Sequence, residues 1–219
     1  MPSANKKTRQ KTAFPKFPEL TYEIELWQAG YFLVAGIDEA GRGALAGPVA
    51  AAAVILPVDT HLCRVLSGVR DSKMMTSRNR ELWAKQIKEI ASGYGIGFAS
   101  NTEIDAVGIV PATYLAIRRA LEGLPFLPQH LLTDFLSLPD VAIPQTPLVK
   151  GDARCLSIAA ASVLAKTSRD ALLCQMDLEF PGYGFSQHKG YGTRYHLNML
   201  SLFGPSPAHR LSFRWKKEI

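Results

Sequence analysis

The chain has 219 residues, of which 47% are hydrophobic and 20% charged, so its composition is that of a globular protein with one sizeable core. Its longest apolar runs, such as residues 48–57, are much shorter than the roughly 20 residues that span a bilayer. The basic first 16 residues lack the apolar segment of a secretion signal. These features argue against membrane insertion and secretion, and we expect a cytoplasmic protein.

Cysteine content and net charge narrow the function further. Cys63, Cys155 and Cys174 have neither the number nor the spacing of a disulfide framework or a zinc site, so we expect reduced packing residues. The formal net charge of +6 favours a polyanionic partner such as a nucleic acid. Because much of this charge lies in residues 6–11 and 214–217, solvated tails explain it at least as well.

The first quarter of the chain predicts an arm, a helix and two strands. Residues 1–18 are basic and are expected to form a flexible arm, followed by a short amphipathic helix over residues 20–30. Apolar runs at residues 32–37 and 49–56 are separated by glycines. This pattern predicts a strand, a glycine turn and a second strand.

The rest of the chain predicts further strands and then mainly helices. The spacing of apolar residues indicates helices at 78–92, 111–123, 156–176 and 193–203, and strands at 94–99, 131–134 and 148–150. Strands that come early and helices that dominate the end favour an α/β sheet with a helical C-terminal portion, at about 177–219. We expect one catalytic domain over residues 19–219.

The glycine turn itself, residues 36–47 with the sequence GIDEAGRGALAG, has two interpretations. The first is a dinucleotide-binding loop, because glycines follow a strand. The spacing of Gly41, Gly43 and Gly47 is one residue longer than GxGxxG, and strand sequence follows where that motif requires a helix. A dinucleotide site is therefore disfavoured.

The second interpretation starts from Asp38 and Glu39, adjacent acids at the end of an apolar strand. Buried carboxylates are costly unless they pair with cations or bind a metal. Their oxygens are the hard ligands that Mg²⁺ and Mn²⁺ prefer. The turn therefore predicts a metal site, beside glycines that would let the backbone approach a substrate closely.

Five motifs, in order, resemble those of ribonuclease HII. They are DEAGRG leading into LAGPV at 38–49, DSK at 71–73, KGD at 150–152 with an alanine-rich helix after it, HKGYGT at 188–193 and GPSPAHRLSF at 204–213. The resemblance covers residues 22–215. It implies a ribonuclease H-like mixed sheet flanked by helices, with a helical C-terminal part.

The resemblance also implies a metal site of four acids that holds two divalent ions, Mg²⁺ or Mn²⁺. Asp38 and Glu39 match the family's first pair, and Asp152 matches its last acid. Asp134 matches the third, although Phe135 stands where the family usually has glycine.

Two other aspartates compete with these acids. Asp140 is the nearest alternative to the third acid, but it stands between prolines. Asp170 is interpreted as a carboxylate on a helix surface beside Arg169.

The activity implied by the resemblance is endonucleolytic cleavage of the RNA strand of RNA/DNA hybrids. It includes cutting 5′ of ribonucleotides embedded in duplex DNA, which leaves 3′-hydroxyl and 5′-phosphate ends. Backbone groups of Gly41, Arg42 and Gly43 are expected to bind the 2′-hydroxyl, the group that distinguishes RNA from DNA. Tyr191 is expected to pack on the neighbouring sugar.

Further substrate contacts are expected from basic residues. Lys73 and Lys166 are candidates to bind phosphates, and Lys189 belongs to the substrate-binding HKGYGT motif. His188 and His209 are interpreted as binding or structural residues, because a metal-activated water needs no histidine base.

Two rival functions stay open at this point. A nucleic-acid-binding protein that has lost catalysis would explain the phenylalanine after the third acid. A nucleotide-binding oxidoreductase is weaker, for the reasons given above. We expect a monomer whose partners are RNA/DNA hybrids and ribonucleotide-containing DNA, without a membrane.

Overall fold

The computed structural model describes residues 15–215, so most of the predicted basic arm, residues 1–14, lies outside the described residues. Within that range the chain forms five strands and eight α-helices. The strands are β1 (Val34–Ala40), β2 (Val49–Ile55), β3 (Gly93–Ala99), β4 (His130–Asp134) and β5 (Gln145–Leu148). The helices are α1 (Thr21–Gln28), α2 (Leu62–Val65), α3 (Ser77–Ile90), α4 (Asn101–Val107), α5 (Ile109–Glu122), α6 (Leu156–Glu179), α7 (Phe185–His188) and α8 (Arg194–Phe203).

The strands form one mixed sheet in the order β3-β2-β1-β4-β5. β1, β2 and β3 are antiparallel neighbours, whereas β4 runs parallel to both β1 and β5. Helix α6 packs on one face of the sheet and α5 on the other. The mixed sheet flanked by helices is the fold class that the sequence predicts.

Small residues let these helices approach the sheet closely. β2 contains a run of alanines from Ala50 to Ala53, all fully buried between the two helical layers. At Gly36 in β1, a Cβ atom would lie only 2.2 Å from the backbone carbonyl carbon of Ser157. The first turn of α6 therefore rests directly on the central strand.

The C-terminal part packs around a third apolar cluster. Phe185, Leu200 and Ala208 surround Leu173 near the end of α6, together with Ala46 from the glycine turn. Residues far apart in the sequence thus form one packing unit, which confirms the predicted helical C-terminal portion and joins it to the glycine turn.

Several local predictions differ from the structure. The fifth strand is residues 145–148 and not 148–150, because Lys150 adopts a left-handed conformation with φ 55° after the strand has ended. Helices α2, α4 and α7 were not predicted. Among the three free cysteines Cys155 is buried, as expected, but Cys63 and Cys174 are exposed and are not packing residues. No helix within residues 15–215 is long and apolar enough to cross a membrane.

Candidate active site

The four predicted acids lie at one edge of the sheet. Asp38 and Glu39 belong to the last residues of β1, Asp134 ends β4, and Asp152 lies in a 3-10 turn between β5 and α6. Because β1, β4 and β5 are parallel neighbours, their carboxyl ends meet at the same edge. The sequence predicts that β1 ends before Asp38 and Glu39. In the structure β1 continues to Ala40, so both acids lie within the strand.

These carboxyl groups repel one another in a partly buried setting. Burial, and then the neighbouring Glu39, raise the pKa of Asp38 well above its usual range. Burial also raises the pKa of Glu39 and of Asp134. For Asp152, burial and the nearby carboxylates Asp71 and Asp134 raise the pKa to about 6. In all four groups the pKa is raised mainly because burial removes water from the carboxylate, and neighbouring negative charges add to this effect.

Few cations offset this charge. Arg42 forms an ion pair with Glu39 at 3.1 Å. Partial desolvation lowers the pKa of Lys73, but the negative charges of Asp71 and then Asp38 raise it by more, so the net pKa is raised. Asp71, whose side chain accepts a hydrogen bond from the Lys73 backbone N–H at 2.9 Å, is a fifth carboxylate that the sequence analysis did not assign to the site.

The donor set fits a divalent cation. Several carboxylates with mutually raised pKa values would be stabilised by a bound Mg²⁺ or Mn²⁺, both of which prefer oxygen ligands. Backbone contacts already orient two of them: Asp134 Oδ1 accepts from the Gly151 N–H at 2.7 Å, and Asp38 Oδ1 accepts from the Glu39 N–H at 2.8 Å. Among residues 15–215, no three Asp, Glu, His or Cys side chains already converge so as to hold a metal ion.

The glycine turn beside the acids is held by a buried arginine from α6. The fully buried Arg169 donates to the carbonyl oxygens of Pro48, Ala46 and Lys189 at 2.8, 2.9 and 2.8 Å. Gly41 has φ +90°, and a Cβ atom there would lie 1.9 Å from Arg169 Nε. Gly41 is therefore required by the fold.

A second buried arginine binds the other side of the same turn. Arg210 donates to the carbonyl oxygens of Gly41, Arg42 and Gly47 at 2.7, 2.9 and 2.9 Å. Burial lowers its pKa to about 9. Two guanidinium groups thus fix the carbonyl oxygens of the turn. By contrast, Gly43 is exposed and has no atom within 4 Å of an added Cβ.

The HKGYGT motif packs against this turn. The N–H of Leu45 donates to the Gly190 carbonyl at 2.7 Å, and a Cβ at Gly190 would lie 2.4 Å from Ala46 O. Tyr191 is 36% exposed, and Arg169 Cζ lies 5.5 Å from its ring centroid. The structure therefore brings together the glycine turn and Tyr191, as the sequence predicts.

Two lysines that were predicted to bind the substrate form hydrogen bonds with other residues of the protein. Lys166 Nζ forms an ion pair with Asp170 at 2.6 Å, so much of its positive charge is already neutralised. Asp170 was predicted to be a carboxylate on a helix surface beside Arg169, but its side chain is only 13% exposed and also binds Arg80 of α3 at 3.2 Å. Lys189 Nζ donates to Ser186 O at 2.7 Å.

The two histidines and Asp140, which the sequence analysis also considered, are not among the site carboxylates. His188 and His209 are buried, and their ring nitrogens bond to neighbouring residues of the chain. Asp140 is exposed in the loop between β4 and β5, with φ 61°. A strand follows the glycine turn, so the dinucleotide-loop interpretation, which requires a helix there, does not hold.

The mixed sheet with a carboxylate edge is the arrangement of a ribonuclease H enzyme, and comparisons with known proteins agree. Ribonuclease H2 from Pyrococcus horikoshii OT3 is 25% identical with a TM-score of 0.65, covering 82% of this chain and 93% of that one. Ribonuclease HII from Archaeoglobus fulgidus, solved in complex with PCNA, is 25% identical with a TM-score of 0.67, covering 81% and 92%.

Sequence relatives identify the family within this class. Residues 35–216 match the family Ribonuclease HII. Ribonuclease HII of Dehalococcoides mccartyi is 48% identical over 90% of this chain and 92% of its own length. That of Chloroflexus aurantiacus is 50% identical over 90% and 93%. The chain belongs to the ribonuclease HII family.

Proposed function

We propose that this enzyme hydrolyses the RNA strand of RNA/DNA hybrids and cuts 5′ of ribonucleotides embedded in duplex DNA. The products have 3′-hydroxyl and 5′-phosphate ends. The observation that carries this proposal is the carboxylate edge beside a rigid glycine turn whose open position, Gly43, faces solvent. The first feature fits phosphodiester hydrolysis, and the second fits close approach of a nucleic-acid backbone.

Asp38, Glu39, Asp134 and Asp152 would hold two divalent ions, Mg²⁺ or Mn²⁺. When bound, such a pair supplies an acidified water and stabilises charge on the attacking and leaving oxygens. The chain's own part is to orient the oxygens: Asp134 is held by the Gly151 amide and Asp38 by the Glu39 amide.

Ribose recognition is assigned to the glycine turn. Arg169 and Arg210 bind carbonyl oxygens of the turn, and this fixes the orientation of its peptide groups. The Arg42 side chain is turned toward Glu39, and open space surrounds the position that a side chain would take at Gly43, so no side chain covers the backbone where a 2′-hydroxyl would approach. A site that must bind a hydroxyl group discriminates strongly against the analogue that lacks it.

Tyr191 is assigned to packing on the deoxyribose next to the cut. It is exposed on the segment that packs against the glycine turn, and Lys166 Nζ and Arg169 Cζ lie 5.4 and 5.5 Å from its ring centroid. Such cation contacts hold the ring in place.

The test of catalysis is a Mg²⁺ and Mn²⁺ titration on a labelled DNA duplex that contains one ribonucleotide. We expect cleavage that depends on the metal, and loss of cleavage without loss of duplex binding in Asp38→Asn. Near-normal turnover of that variant would contradict the four-acid assignment. Binding of the duplex by the unmodified chain without cleavage under any metal condition would favour the rival, a binding protein that has lost catalysis.

The third acid is tested by a matched pair of aspartates. Asp134→Asn is expected to be severe, because this group repels and is repelled by the other site carboxylates. Asp140→Asn is expected to be mild, since Asp140 lies in an exposed loop. The opposite ranking of kcat/KM would show that the wrong aspartate has been assigned.

Substrate selection is tested with Tyr191→Ala. Loss of a stacking contact is worth on the order of 1–3 kcal/mol, so cleavage at a lone ribonucleotide should fall roughly tenfold to a hundredfold, and more than cleavage of a continuous hybrid. The matched control is Tyr94→Ala on β3, where the ring is also 36% exposed and Lys88 Nζ lies 5.7 Å from its centroid. Equal losses on both substrates would contradict the role given to Tyr191.

A further inference from the structure

Three histidines form a buried cluster behind Tyr191. His188 and His196 stack with ring centroids 4.2 Å apart, and His196 Nε2 lies 2.9 Å from His209 Nε2. Phe185 contacts all three rings. His196 and His209 are 0% and 1% exposed, so their hydrogen bonds are made inside the protein.

The bonding partners fix which ring nitrogens carry protons. His196 Nδ1 lies 2.9 Å from the carbonyl oxygen of Tyr191, which can only accept, so His196 must be protonated at Nδ1. Its Nε2 is then an acceptor when the ring is neutral. His209 must therefore donate from Nε2, which leaves its Nδ1 to accept from the Ser206 N–H at 2.9 Å.

The resulting series of hydrogen bonds runs in one direction, and every donor in it faces an acceptor. Ser206 N–H donates to His209, His209 donates to His196, and His196 donates to the Tyr191 carbonyl. The alternative in which His209 Nδ1–H points to Ser206 O, 3.3 Å away, would leave His196 Nδ1 without a proton for the Tyr191 carbonyl.

We propose that His209 and His196 form a relay of two neutral imidazoles that positions Tyr191 for substrate selection. The relay links the C-terminal segment at Ser206 to the backbone of the tyrosine. Both histidines are positioning residues, since neither reaches the surface. This inference rests on the proposed role of Tyr191.

The third histidine supports the same tyrosine from its other side. His188 Nδ1 accepts from the Gly190 N–H at 3.2 Å, and its Nε2 donates to Tyr183 O at 2.7 Å. The Tyr191 N–H donates to His188 O at 3.0 Å. Burial lowers the pKa of all three rings, in agreement with a neutral cluster.

The first test measures proton positions in the unmodified chain. Long-range ¹H–¹⁵N NMR of histidine-labelled protein at neutral pH assigns each tautomer. We expect Nδ1–H for His196 and Nε2–H for both His209 and His188. A His196 protonated at Nε2, or a His209 protonated at Nδ1, overturns the relay whatever the activity of the enzyme.

The second test distinguishes the hydrogen bond made by His196 Nδ1 from the one made by His196 Nε2. In His196→Asn the side-chain amide can replace the Nδ1 donor to Tyr191, whereas in His196→Gln it reaches toward His209 and leaves the Tyr191 carbonyl without that donor. We expect the ratio of kcat/KM on the lone ribonucleotide to kcat/KM on the hybrid to fall about twofold to tenfold in the Gln variant, the effect of one hydrogen bond, and to stay within about twofold in the Asn variant.

The outcomes distinguish this inference from the proposed function. If Tyr191→Ala changes the ratio but His196→Gln does not, the positioning role is wrong although the tyrosine assignment stands. If Tyr191→Ala leaves the ratio unchanged, the tyrosine assignment fails. The relay is then judged by the tautomers and by the Tyr191 ring resonances, which must move in the Gln variant and not in the Asn variant. If a variant does not fold, the tautomer measurement alone decides.

Discussion

The two glycines of the DEAGRG motif are predicted to respond differently to the same substitution. Gly41→Ala places a methyl group where the Arg169 side chain lies, at a residue with φ +90°. Gly43→Ala places the same group in open space, at a residue whose φ is not in the left-handed range. The pair therefore separates the structural role of the motif from its role toward substrate.

The magnitude follows from the contacts. A non-glycine residue at positive φ costs roughly 1–2 kcal/mol. If the methyl group displaces Arg169 enough to lose one of its hydrogen bonds to backbone carbonyls, a further loss of about 2 kcal/mol follows. Gly41→Ala should therefore lower the free energy of unfolding by about 3–4 kcal/mol, or Tm by roughly 10 °C. Gly43→Ala should change it by less than about 1 kcal/mol.

The assay combines urea denaturation with cleavage of a duplex that contains one ribonucleotide. Gly43→Ala should fold normally yet lose about tenfold or more in kcat/KM, because a methyl group at the open position keeps the 2′-hydroxyl from the backbone. Normal cleavage by Gly43→Ala would refute close approach at this residue. An unchanged Tm for Gly41→Ala would refute the argument from the Arg169 contact.

Three further predictions concern stability. Burial lowers the pKa of His196 and of His209 to about 4, below the value near 6.5 in the unfolded chain. The unfolded chain then binds more protons at these two residues, so their contribution lowers the free energy of unfolding by on the order of 3 kcal/mol for the first proton as pH drops from about 6.5 toward 4. The raised pKa values of Asp38 and Asp152 act in the opposite direction over this range, so the urea-denaturation profile is compared with that of His196→Asn, and the same pH dependence in both chains would contradict the prediction. Phe135→Gly should stabilise the protein by about 0.5–1 kcal/mol, since Phe135 has φ 61° and is 70% exposed, and the control Asp140→Gly, also at φ 61°, should do the same; a loss of Tm in both would show that neither backbone is strained. Asp38→Asn should raise Tm at neutral pH while it abolishes cleavage, because burial and Glu39 raise the pKa of Asp38 and make its charge costly; a lower Tm would mean that the carboxylate stabilises the fold.

Local sequence patterns predicted only part of the carboxylate edge. Asp38 and Glu39 are adjacent acids at the end of an apolar strand, so a metal site could be predicted there without knowing the fold, whereas Asp134 and Asp152 were assigned from the resemblance of their motifs. Helix α4 also carries a local signal, because Ser100 and Glu103 form a capping box, which marks the start of a helix. Strand β5 was misplaced because of Pro147, but a proline is tolerated in an edge strand.

The supports of the site could not be predicted from local patterns. Arg169 binds a carbonyl 121 residues away in the sequence, and Arg210 binds one 169 residues away. Nothing near either residue in the sequence indicates burial, and arginine is most often exposed. The prediction for Asp170 failed for the same reason, since its partner Arg80 is 90 residues distant.

These long-range contacts connect residues 204–213 to the glycine turn and to Tyr191. Arg210 and His209 are neighbours in the chain, yet they act on different parts: the arginine binds the glycine turn, and the histidine reaches the Tyr191 carbonyl through His196. Because both contacts are buried and end on backbone atoms, a shift of this segment would move the turn and the tyrosine together. If the glycine turn binds the ribose and Tyr191 packs on the neighbouring deoxyribose, as proposed, the two contacts are coupled through residues that touch neither sugar.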